Sequence, residues 1–216
     1  MKFKNLFFDF DGVIAESVSC KTEAFREIYL PYGEEIASKV VSHHIHNGGV
    51  SRFEKFKIYH KEFLGETIDE KKVQELANLF SDLVLTKVIT SNEVNGSTSF
   101  IKKYSRSHKL WIITGTPTDE IIKITEARGI EHYFIGIHGS PENKRFWTEL
   151  IIKKYNLKRE ETLFLGDATT DFDAAQFSNL HFALRTHDEN IDIFNKYNGL
   201  RFSDFNELEN KIKAHL

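Results

Sequence analysis

The sequence predicts an α/β protein, a doubly wound parallel sheet whose first strand is followed by a helical insertion. Three observations carry that expectation. Beyond residue 96, short apolar runs alternate with helical patterns, as in a parallel sheet covered on both faces. Between residues 16 and 90 the apolar residues recur only at helical spacing. The aromatic run ending in Phe7 and Phe8 stops abruptly on Asp9, Asp11 and Gly12. Two carboxylates at the end of a buried strand are costly unless a cation or a reaction uses them.

The first strand is expected over residues 3–8. From about Val18 the pattern is helical: Phe25, Ile28 and Tyr29 share a face, followed by Phe53, Phe56, Tyr59 and Phe63, then by Val73, Leu76, Phe80, Leu83 and Val84. The polar stretch 91–96 suits a hinge. Strands are expected over 110–113, 133–137, 162–165 and 181–184. Helices are expected over 119–128, closed by Gly129, over 146–155 and near 173–177. Phe205, Leu208 and Ile212 mark a closing helix. Residues 1–15 and 91–216 are therefore expected to form a Rossmann-like α/β core domain, and 16–90 a small α-helical domain.

The chain has 216 residues, 40% of them hydrophobic and 28% charged, the composition of a soluble globular protein. A net charge of −3 gives no support for a nucleic-acid footprint. The single cysteine, Cys20, excludes an intrachain disulfide and fits a reducing compartment. The N-terminal apolar run is broken at once by Asp9 and Asp11, so neither a signal peptide nor a membrane span fits. The expectation is a cytoplasmic protein with no nucleic-acid or membrane partner, monomeric or dimeric.

In open sheets of this kind, ligands sit at the carboxyl ends of the strands. There the sequence places Asp9 and Asp11, then Thr114-Gly115-Thr116, then Gly166-Asp167 with Asp171 four residues on. The loop Gly139-Ser140-Pro141 leads to Lys144 on the same rim. Taken in order, Asp9-Phe10-Asp11-Gly12-Val13, Thr114, Lys144 and Gly166-Asp167-Ala168-Thr169-Thr170-Asp171 resemble the four motifs of the haloacid dehalogenase (HAD) superfamily. The resemblance spans the chain. It is to the phosphatase branch with a helical cap after the first motif, the phosphoglycolate phosphatase and β-phosphoglucomutase-like group.

That resemblance implies phosphoryl transfer, which needs an in-line nucleophile and compensation of the charge on the phosphoryl oxygens. Asp9 is implied as the nucleophile forming an aspartyl-phosphate. Asp11 is implied as the proton donor to the leaving alkoxide and the later activator of water. Magnesium would be held by Asp9, the backbone carbonyl of Asp11, and Asp167, with Asp171 supporting Lys144 or the metal's water shell. Lys144 and the metal would keep Asp9 ionised while Asp11 carries a proton. Thr114, with the amides of Gly115 and beyond at a helix start, would hold the phosphoryl oxygens.

Each residue also has an ordinary structural use. Asp-Gly is common in turns, Thr114 could cap a helix, lysines such as Lys144 are usually solvated, and Asp171 or Asp173 could be first-turn charges. Gly49-Val50-Ser51-Arg52 resembles the cap loop of the β-phosphoglucomutase group, which makes Arg52 a candidate for a second substrate anion. Its alternative is a pairing within the cap. His43, His44 and His46 match no zinc pattern and are expected to pack in the cap or line its mouth. Two departures count. Asp11 argues against carbon–halogen and carbon–phosphorus chemistry, and Lys144-Arg145 replaces the Lys-Pro of many relatives. The leading expectation is a magnesium-dependent phosphatase acting on a small soluble phosphomonoester, such as a sugar phosphate. The alternatives are a sugar-phosphate mutase and a catalytically silent binding protein.

Overall fold

The structure, a computed structural model, describes residues 2–214. Its sheet has six parallel strands: β1 (Asn5–Phe8), β2 (Lys109–Pro117), β3 (Gly136–Ser140), β4 (Thr162–Gly166), β5 (His181–Arg185) and β6 (Leu200–Phe202), in the order β3-β2-β1-β4-β5-β6. β1 lies inside the sheet, paired with β2 on one side and β4 on the other. All four of its residues are buried, which is why it reads as a continuous apolar run rather than an alternating one. Phe7 packs edge-on against Trp111 and Phe164 on one face. On the other face Phe8 meets Phe100, Phe134 and Phe205. Helices α5 (Ser97–Tyr104), α6 (Thr118–Ala127) and α9 (Phe205–Ala214) cover the Phe8 face, and α7 (Lys144–Lys154) and α8 (Thr169–Phe177) cover the Phe7 face. Burying each such side chain contributes about 2 kcal/mol, so both faces favour this central strand.

Between β1 and β2 lie α1 (Val18–Tyr29), α2 (Glu34–His46), α3 (Arg52–Tyr59), a π turn (His60–Leu64) and α4 (Glu70–Thr90), with no strand among them. Phe25 is the hub of this insert, with ring centroids 5.6 Å from Phe56, 5.6 Å from Tyr59 and 4.4 Å from Phe80. The carbonyls at the end of α4 have no partner within the helix. Arg128, just after α6, satisfies those of Val88, Ile89 and Ser91 at 3.0, 3.0 and 2.9 Å. The chain enters and leaves the insert side by side. Ala15 bridges Glu93 in antiparallel fashion, the Glu16 amide donates to Asn92 O at 2.9 Å, and the Val94 amide to Ile14 O at 3.0 Å.

The strands differ from expectation in several places. The expected strand over 133–137 begins at Gly136, because Glu131–Tyr133 form a helical turn that seats Phe134 against Phe8. β6 is a three-residue edge strand, too short for a periodic signal. α7 and α8 also start earlier than expected, at Lys144 and Thr169, and both shifts bear on the site.

Candidate active site

Asp9 follows β1 directly, at the carboxyl edge of the sheet. Gly12 then turns the chain with φ 72°, and a Cβ there would stand 2.2 Å from Asp167 Oδ2. Glycine is therefore required both by the backbone and by the approach of the loop to the end of β4. Lys144 is the first residue of α7, whose start is fixed by Asn143 accepting from the Phe146 amide at 2.9 Å. From there its Nζ donates to Asp9 Oδ2 and to Asp171 Oδ1, both at 2.6 Å. Asp171 sits in the first turn of α8, and its Oδ2 accepts from the amides of Ala168 at 3.0 Å and Asp167 at 3.3 Å. Asp171 thus braces both Lys144 and the backbone that carries Asp167. The carbonyl of Asp167 accepts from Asn190 Nδ2 at 2.8 Å, and its Oδ2 lies 2.9 Å from His187 Nε2. Sequence reasoning missed His187 and Asn190, which lie in an irregular segment after β5 without a motif.

Oxygens of the buried Asp9, Asp167 and Asp171 lie within 4.8 Å of one another. Burial raises the Asp9 pKa above the ordinary value despite Lys144, with Asp167 and Asp11 adding to the rise. Burial, then Asp9, raises that of Asp171 well above it. Burial alone would lower the Lys144 pKa, but Asp171 and Asp9 outweigh it and keep the ammonium charged. Three buried carboxylates against one ammonium leave an excess of negative charge that a hard divalent cation fits, and an all-oxygen donor set suits magnesium.

Asp11 departs from its expected state. Its Oδ1 accepts from Ser17 Oγ at 2.6 Å, and its Oδ2 accepts from Thr116 Oγ1 at 3.1 Å and from the Lys21 ammonium. Burial would raise its pKa, but Lys21 and these hydrogen bonds outweigh it, so Asp11 is held ionised rather than protonated. Lys21, also 2.7 Å from Thr116 Oγ1, is a site residue that the sequence did not reveal, since Thr116 is 95 positions away. Thr114 is buried, and with Gly115 it lines the cavity shared by Asp9 and Asp11. The helix expected to start there begins at Thr118. β2 instead continues to Pro117 with an irregular register after Ile113, so the amides near Gly115 belong to a strand end.

The sequence model of haloacid dehalogenase-like hydrolases matches residues 6–184, from the first strand to the fifth. The chain belongs to this family. It is 25% identical over 206 residues to a phosphoglycolate phosphatase of Pasteurella multocida (strain Pm70), covering 89% of each chain. Its fold is similar to a β-phosphoglucomutase from Clostridium difficile, with a TM-score of 0.77 and 18% identity over 99% of this chain and 98% of that one. A haloacid dehalogenase-like hydrolase from Streptococcus pneumoniae gives a TM-score of 0.69 and 18% identity over 99% and 98% of the two chains.

Around this HAD-type centre the insert closes from above. Arg52, expected to face a substrate anion, is committed elsewhere. Its fork grips Glu120 of α6 at 2.6 and 2.9 Å and meets Ser81 Oγ at 2.7 Å, with both charged partners buried. The three histidines do not gather. His43 packs on Tyr59, His46 bonds Ser42 O at 2.8 Å, and His44 alone reaches the cavity. Asp173 pairs with Arg145 at the surface. No helix of the described residues is long and apolar enough to cross a membrane.

Proposed function

We propose that the chain is a magnesium-dependent phosphatase that cleaves a small phosphomonoester through an aspartyl-phosphate, with the insert acting as its cap. The observation that carries this reading is the buried Lys144 ammonium bridging Asp9 and Asp171 beside Asp167, with Asp11 on the same cavity. Magnesium, when bound by Asp9, Asp167 and the Asp11 carbonyl, supplies charge compensation for the phosphoryl oxygens. Asp171 acts chiefly through its hold on Lys144 and the Asp167 loop.

Asp9 Oδ1 already accepts from the Phe10 amide at 2.6 Å, which orients the carboxylate for attack on phosphorus. The P–O bond to the leaving group breaks as the Asp9–phosphorus bond forms, and the alkoxide needs a proton. Lys21 and Asp11 hold that proton between them, so the pair acts as the acid. Water then attacks phosphorus as the Asp9–phosphorus bond breaks, the Lys21–Asp11 pair takes up the water's proton and is restored, and inorganic phosphate departs. The cap thereby contributes Lys21 to the chemistry. In this reading Thr114, buried on the same cavity, and the amides near Gly115 hold the phosphoryl oxygens. The 25% identical relative makes phosphoglycolate the first substrate to assay.

The test is phosphate release from a panel of small phosphoesters with and without magnesium, for the parent and Asp9→Asn. Turnover that needs magnesium and vanishes in Asp9→Asn is expected. Residual activity near that of the parent refutes Asp9 as nucleophile. Sugar-phosphate isomerisation without phosphate release favours a mutase instead, and no turnover of any ester favours a silent binding protein.

A further inference from the structure

Four cationic side chains of the described residues are more than nine-tenths buried: Arg52, Lys55, Lys144 and Arg185. Three of them face a carboxylate: Glu120, the Asp9–Asp171 pair and Glu16 respectively. Lys55, only 1% exposed, faces none. Its Nζ lies 2.8 Å from His44 Nδ1 and 5.5 Å from the centroid of the Phe25 ring. Burial, reinforced by Lys55, pushes the His44 pKa well below its ordinary value, so the imidazole is neutral and offers Nδ1 as an acceptor. Burial, with Lys21 and Lys144 adding, pushes the Lys55 pKa down to about 7. A buried ammonium without a counter-ion is costly, and a methionine of similar length would pack there without that cost.

Lys55 and His44 line the same cavity as Asp9, Asp11 and Thr114, a space of about 80 Å³. One side of it carries the phosphoryl chemistry and the other an ammonium lacking an anion. A short leaving group is enough to meet both sets of residues, because they line one small cavity. Arg52 on the same wall is already neutralised by Glu120, so the open positive charge is on Lys55. A neutral hydroxyl would leave that charge uncompensated, whereas a carboxylate would complete it.

We propose that Lys55 is the specificity-determining residue of this site and recognises a carboxylate carried on the leaving-group side of a short phosphomonoester. This rests on the phosphatase reading. The hydrolysis test compares phosphoglycolate with ethyl phosphate, of the same chain length without the carboxylate, for the parent, Lys55→Met, Lys55→Gln and Lys55→Arg. The parent is expected to favour phosphoglycolate at least tenfold in kcat/KM, and both neutral variants to lose at least tenfold of that ratio, mostly through KM. Lys55→Arg is expected to retain more of it. A second measurement does not require turnover. Calorimetric titration of Asp9→Asn and of its double variant with Lys55→Met should show at least tenfold weaker phosphoglycolate binding in the latter, with a smaller change for ethyl phosphate. Equal losses on both esters, or a parent indifferent to the carboxylate, overturn the proposal while leaving the phosphatase reading intact. Absence of turnover for every ester sinks the phosphatase reading alone, because the titration still decides the contact. Should Lys55→Met not fold, Lys55→Gln and Lys55→Arg carry the same comparison.

Discussion

Glu120→Gln should destabilise the protein through the Arg52 fork. Arg52 opens α3 in the insert, Glu120 lies on α6 against the sheet, and side-chain exposures of 4% and 9% leave little water between them. Ser81 Oγ donates to Glu120 Oε2 at 2.5 Å and accepts from Arg52, whose guanidinium lies 4.5 Å from the centroid of the Phe80 ring. Removing the carboxylate charge strands a buried guanidinium, which costs about 3–5 kcal/mol. Local opening of the insert would let Arg52 reach water, so the lower figure applies, equivalent to a fall in Tm of about 10 °C for a chain of this size. Replacing both residues, Arg52→Met with Glu120→Leu, removes the stranded charge and should recover most of the loss. Urea and thermal unfolding of the four members of this cycle give the coupling directly. Burial would raise the Glu120 pKa, but Arg52 outweighs it and holds it below 4.5. The pair's contribution is therefore present above that pH and lost on acidification below it. KM should also rise in Glu120→Gln as the insert opens more readily. A single-variant cost under about 1 kcal/mol, or a double variant as unstable as the sum of the singles, refutes the latch.

Three other expectations follow from the geometry. The Lys55 pKa of about 7 against the ordinary 10.5 means that the unfolded chain binds more protons between those values, so this residue makes stability rise with pH across that window. The gap corresponds to on the order of 5 kcal/mol, of which about 2–3 kcal/mol should appear between pH 7 and 9 as the parent's gain relative to Lys55→Met in urea unfolding; parallel curves would refute it. Asn190→Ala removes the 2.8 Å bond to the Asp167 carbonyl and should weaken magnesium activation by roughly 10-fold or more, read as the concentration for half-maximal activity. An unchanged magnesium curve would show that Asn190 does not position Asp167. A Cβ on Gly115 would stand 2.6 Å from Gly49 O, a backbone atom of the insert, so Gly115→Ala should wedge insert from core at about 1–3 kcal/mol and raise KM. An unchanged KM and Tm would show that the loop yields freely.

The sheet was legible where strands are buried on both faces, because such strands are unbroken apolar runs. β1, β2 and β4 have that character over most of their length, and β5 has it over Ala183 and Leu184. β3 was misplaced because Tyr133 and Phe134 are as apolar as a strand, yet they pack from a turn outside the sheet. Asp9, Thr114, Lys144, Asp167 and Asp171 could be singled out because they fall at the ends of apolar runs or early in helices, at short spacings and in the order of the four motifs. What the sequence hid is pairing at long range. Arg52 and Glu120 are 68 positions apart and Lys21 and Thr116 are 95 apart, so no local pattern distinguishes these cations from solvated ones. Lys55 went unremarked for another reason: it is 1% exposed, and its partner is His44 rather than a carboxylate.

The side-by-side passage of the chain at Ala15–Glu16 and Asn92–Val94 makes the insert a detachable module. Its two ends already stand as neighbours in a short antiparallel ladder, so a tight turn of about two residues could splice them together. None of the six strands lies between these two ends of the insert. A lineage could therefore exchange the whole helical block by recombination at one short seam. It would inherit the cluster of Asp9, Lys144, Asp167 and Asp171, whereas Ser17 and Lys21, which hold Asp11, would leave with the block and have to be replaced by its successor.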